Sequence, residues 1–155
     1  MKNLSLTTKE IVEAFKVLDE ARYQKLSDDD KIKVWKISRK LGPIAEKYKE
    51  DSIDAEKKLM PYEDFPQKIQ KVLAYEKMMD EGKKDNLPMT AEEHATIAKD
   101  YFQFKALHTK AMAELNNKEQ TIEFEPISEE GFSKLMASND WALKQVDMIA
   151  FIIND

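Results

Sequence analysis

At 155 residues the chain suits a single domain. Its 42% apolar content is enough to build a core, while only 3 glycines and 5 prolines exclude a turn-rich all-β fold. A formal net charge of -5 argues against a dedicated nucleic-acid binder, and the lack of cysteine excludes disulfides, thiolate nucleophiles and thiolate metal sites.

The first helix signal is Thr7-Thr8-Lys9-Glu10, a hydroxyl followed three residues later by a glutamate, as in a capping box. Ile11, Phe15, Leu18 and Arg22 follow at helical spacing, which predicts a helix over 8–25. Ser27 then stands before Asp28, Asp29 and Asp30, a hydroxyl cap with acids where the helix dipole favours them. This opens a long helix, 27–58, whose stripe is Val34, Ile37, Leu41, Ile44 and Tyr48. Pro43, preceded by Gly42, is expected to kink or break it, because proline removes a donor and clashes with the preceding turn.

Pro61 and Pro66 bound a short irregular segment, after which Ile69, Val72, Leu73 and Met79 predict a third helix over 67–81, ending in a loop around Gly82. Thr90 caps a fourth helix, 91–117, with the stripe Ile97, Tyr101, Phe104, His108, Ala111 and Leu115. Residues 121–125 then alternate apolar and polar, a short strand with Pro126 at its exit. That strand needs a partner, either within the fold or on another chain. Ser128 opens a short helix through Met136, and Asp140 is expected to cap a nearly all-apolar C-terminal helix, 141–153. The fold expected is therefore all-α: one domain built on a long antiparallel helical hairpin (27–58 against 91–117). A connector at 59–88, additional short helices and one minor β-strand near the C-terminus complete it. Tyr101, Phe102 and Phe104 are expected to face Trp35, Ile37, Leu41 and Tyr48.

Reactive constellations are hard to find. The only histidines, His94 and His108, have Ala91 and Lys105 three positions upstream, so the Glu-x-x-His pattern of helical di-iron sites is missing. His108 reads as a packed residue on an apolar stripe and His94 as a solvated one. Glu123 and Glu125 share a strand face, which exposure alone explains. Three scattered glycines form no phosphate loop. No catalytic residue, metal or cofactor is implied.

Two segments suggest binding. The strand and the C-terminal helix offer Ile122, Phe124, Ile127, Trp141, Met148, Phe151 and Ile152 as a docking surface, since unpaired strand edges and apolar helices recruit other chains. Lys33, Lys36, Arg39 and Lys40 give the long helix a basic flank, an alternative site for nucleic acid or a nucleic-acid enzyme. No apolar run approaches the ~20 residues of a membrane span, and the N-terminal residues do not read as a secretory signal. A cytoplasmic protein without membrane contact is the simplest expectation.

One family likeness is visible. Lys25-Leu26-Ser27, then Val34 through Ile44 (VWKISRKLGPI), and later Glu114-Leu115 ahead of Ile122-Glu123-Phe124-Glu125-Pro126-Ile127, resemble a family of small, largely uncharacterised proteins of tailed bacteriophages. The resemblance covers about half the chain in two pieces. It implies a non-enzymatic protein of virion or tail assembly, active in the host cytoplasm or the virion. Its partners would be virion proteins or further copies of itself.

Overall fold

The computed structural model describes residues 1–154. Among them are six α-helices and one two-stranded sheet, so the chain is mostly helical. In order these are β1 (Lys2–Thr7), α1 (Thr8–Asp19), α2 (Asp28–Leu59), α3 (Phe65–Asp80), α4 (Ala91–Asn117), β2 (Glu119–Phe124), α5 (Glu129–Ser138) and α6 (Leu143–Ile149), with a 3-10 turn at Ala150–Ile152. They group into two compact units, residues 1–51 with 114 onward, and Ser52–Ala113.

In the first unit the cap of α1 is as expected. The Thr7 hydroxyl accepts from the Glu10 amide at 3.2 Å, and the Glu10 carboxylate accepts from the Thr7 amide at 3.0 Å. The helix ends at Asp19 rather than near Lys25. Beyond it, Asn139 takes both backbone groups of Arg22, accepting from its amide at 2.8 Å and donating to its carbonyl at 2.9 Å. Those groups therefore have tertiary partners and need no helix. Ser27 accepts from the Asp30 amide at 3.2 Å and so starts α2. This helix runs through Pro43 without a break. A Cβ on Gly42 would stand 3.3 Å from the Phe15 ring, so the glycine admits Phe15 closely at that turn.

The partner of the C-terminal strand lies in the same chain. Lys2–Thr7, a segment without an expected element, pairs antiparallel with β2, Leu4 opposite Ile122 and Lys2 opposite Phe124. Thr8 donates from both amide and hydroxyl to the Lys118 carbonyl at 2.8 and 2.7 Å, which joins the α1 entry to the β2 entry. After β2, the Ile127 amide donates to Ile152 at 2.9 Å and the Asn154 amide to Ile127 at 2.7 Å. The core of this unit joins Ile11, Ala14 and Leu18 of α1, Val34, Ile37 and Leu41 of α2, and Ile122 and Phe124 of β2 with Leu135, Ile149 and Ile152.

The C-terminal helix is shorter than its composition suggests. It begins at Leu143, where the Gln145 side chain accepts from the Ala142 amide at 3.0 Å, and gives way to the 3-10 turn after Ile149.

In the second unit α3 packs on α4. Phe65 meets Tyr62, Phe104 and Tyr101 with ring centroids at 5.3, 5.3 and 6.3 Å. Val72, Tyr75, Met89 and Ile97 form a second small core. His94, expected to be solvated, instead stacks on Tyr75 at 4.7 Å and meets the Glu76 carboxylate at 3.0 Å. Ile37 and Leu41 lie in the first core, and Tyr101 and Phe104 pack on Phe65 in the second. Trp35 and Phe102 are left 56% and 76% exposed. Within the first unit, Tyr48 of α2 does donate to the Asn116 side chain of α4 at 2.6 Å.

Candidate interaction surface

The residues expected to dock a partner point inward. Phe124 is 2% exposed, and Ile122, Ile127 and Ile152 are likewise buried in the first core. Trp141, Met148 and Phe151 are half-buried against it, Phe151 edge-on to Phe124 at 5.8 Å. The apolar excess of the C-terminal segment is thus the wall of this unit's own interior. β2 is paired with β1 along its length, and Lys40 donates to the Glu123 carbonyl.

The basic flank is at the surface but partly committed. Lys33 pairs with Glu125 at 3.5 Å, and Lys40 is held by the Glu123 carbonyl. Lys36 and Arg39 are exposed, and among the described residues neither has a carboxylate within ion-pair distance. The Arg39 guanidinium lies 5.0 Å from the centroid of the Trp35 ring.

Trp35 is the feature that the expected sites leave out. Val34, Ile37 and Leu41 are the buried stripe of α2, so an ordinary surface helix would carry polar residues elsewhere. Instead Ile32 and Trp35, three apart, form a second apolar strip, 50% and 56% exposed. Beside them an open groove of about 520 Å³ runs between α2 and the end of α1, lined by Leu18, Asp19, Tyr23, Lys31, Ile32, Trp35 and Ser38. On the other side of Trp35 lies a smaller, basic groove of about 300 Å³ with Lys33, Lys36, Arg39, Lys40 and Glu125 in its lining. Trp35 borders both. Tyr23 donates to the Leu18 carbonyl, and burial, then the Asp19 carboxylate, pushes its phenol above the usual tyrosine range. It therefore remains a neutral donor that fixes the groove wall. The signal was present in the sequence as Ile32 and Trp35 lying off the main stripe.

The second unit has a groove of about 460 Å³ along Tyr62, Lys68, Lys71, Glu92, Glu93, Thr96 and Asp100. Its hydroxyl at Tyr62 is shielded from water and, among the described residues, meets no partner of hydrogen-bond geometry. Burial first, then Asp100, raises that phenol. Cations from α3 and acids from α4 face the same space, so the groove selects no ligand charge. Among the described residues no grouping of three or more His, Asp or Glu side chains could hold a metal ion. Nor, among them, is any helix long and apolar enough to cross a membrane.

No family model, curated protein or solved structure matches the chain.

Proposed function

We propose that the chain is a protein–protein interaction module that docks its partner on the Trp35 face of α2. The observation that carries this is the indole itself, 56% exposed between two grooves with Arg39 over its ring. Tryptophan and arginine are the residues that dominate interface energetics, and they act best where a groove lets them be fully desolvated. Leaving about half of a ~200 Å² aromatic side chain in water forgoes roughly 2–3 kcal/mol of burial, which a partner would recover. The function is binding, with no chemical step. The resemblance of residues 25–44 and 114–127 to small tailed-phage proteins supports virion or tail assembly as its setting, in the host cytoplasm or on the virion.

A second reading has some support. Lys33, Lys36, Arg39 and Lys40 share the basic groove beside an aromatic ring, an arrangement suited to nucleic acid. With two of the four already committed to Glu125 and the Glu123 carbonyl, about two phosphates would be neutralised. Affinity would then fall only about tenfold between 50 and 200 mM salt, the mark of a weak, non-specific contact.

The test is capture from source cells with the tagged chain and its Trp35→Ala variant, at low and high salt. Protein partners retained by the wild type at high salt and lost by the variant support docking. An identical partner set on both baits rejects it. Nucleic acid released by salt from the wild type favours the second reading.

A further inference from the structure

Resting on the docking reading, we infer that the occupant of the Trp35 face is an acidic amphipathic segment of another protein. Residues 31–45 hold Lys31, Lys33, Lys36, Arg39 and Lys40 and no acid, in a chain whose net charge is -5. This run of cations therefore opposes the charge of the molecule that carries it. Lys36 and Arg39, which among the described residues have neither a carboxylate partner nor a carbonyl like the one that holds Lys40, line the groove on one side of Trp35. The groove on the other side has Leu18, Tyr23 and Ile32 in its wall.

A segment lying across the indole thus meets apolar surface on one flank and unneutralised cations on the other. The complement is a strip of large apolar side chains three or four residues apart with Asp or Glu beside it, the pattern of a helix held in a groove. Asp19 at the apolar groove and Glu125 at the basic one set the limits of the acidic strip, since a partner carboxylate at either point would meet a like charge. A second copy of the chain is a poorer occupant. Both copies carry the same negative net charge, and the acids Asp28, Asp29 and Asp30 stand at the start of the helix that bears the site.

The experiment is selection from a random 16-residue peptide display library on the intact chain, with Trp35→Ala as the counter-selecting bait. The affinity of the enriched peptides is then measured by fluorescence anisotropy. Peptides combining Asp or Glu with Leu, Phe or Trp at helical spacing are expected. Trp35→Ala should weaken them about tenfold or more, and Lys36→Glu with Arg39→Glu by a similar factor. These side chains are exposed, and an unchanged circular dichroism spectrum and melting temperature would show that the variants fold. Trp35-dependent peptides without an acidic excess, or indifferent to the charge reversal, overturn the acidic occupant while leaving docking intact. No peptide enriched over the Trp35→Ala bait, dimerisation through this face in sedimentation, or competition by a 20-nucleotide single strand also overturns it. Failure of docking itself reads out separately, as unchanged capture by the Trp35→Ala bait.

Discussion

Asn139 shows how one side chain sets a boundary that periodicity misplaces. Its amide holds the Arg22 amide and carbonyl and also donates to the Leu135 carbonyl at 2.9 Å, so it ends α5 and the α1 extension together. Asn139→Ala removes three hydrogen bonds of about 0.5–1.5 kcal/mol each and should cost roughly 2 kcal/mol, measured by urea unfolding. Asn139→Asp should recover only the Arg22 amide contact, since a carboxylate cannot donate to carbonyls. At Tyr23 the folded state keeps the phenol protonated above its ordinary value of 10.0. The unfolded chain releases that proton first, so stability is full below pH 10 and falls as pH rises beyond it. Tyr23→Phe should flatten that alkaline limb in pH-dependent denaturation, and an unchanged slope would remove the argument.

At the scale of elements, capping chemistry was legible because it is local. Thr7 with Glu10, Ser27 before three aspartates, and Ser128 before Gly131 each place a hydroxyl within reach of an amide three residues on, and each starts a helix. Strand β1 was not legible in the same way. Its alternation rests on Leu4 and Leu6 alone, and what makes it a strand is β2, more than a hundred residues later. Pro43 marks the opposite case, a strong local signal overridden by packing. Val34, Ile37 and Leu41 on one side of it are buried, which holds the helix through a position that costs about 3 kcal/mol in a helix interior. Pro43 is itself exposed. Pro43→Ala should therefore raise the melting temperature by several degrees, the restored amide and relieved clash outweighing the added freedom of the unfolded chain. A lower melting temperature would mean that the rigidity of proline outweighs the missing amide at this position.

For the whole molecule, two compact units imply two distinguishable sets of protected amides. Phe65 is buried among Tyr62, Tyr101 and Phe104, and Phe65→Ala should cost about 3–5 kcal/mol. Hydrogen exchange should show that loss chiefly within 52–113. Phe124→Ala should show it in residues 1–51 and from 114 onward. A uniform loss in both variants would mean that the units unfold as one. The same experiment separates interior from surface at the C-terminal segment, since substituting a docking residue lowers binding and leaves protection unchanged.

The residue order alone determined that this chain is mostly helical, where most of its helices start, and that a short strand lies near residues 121–125, because caps and apolar periods act over a few residues. It also held the cue to Trp35, lying off the buried stripe beside a run of cations. Tertiary structure decided which apolar surfaces are used up. Ile122, Phe124, Ile127 and Ile152 look like a docking surface in sequence, since hydrophobicity alone does not say whether the covering layer comes from the same chain. Here it does: α1, α2 and β1 fill that role, and the apolar face left to the solvent on α2 is the one that holds Ile32 and Trp35.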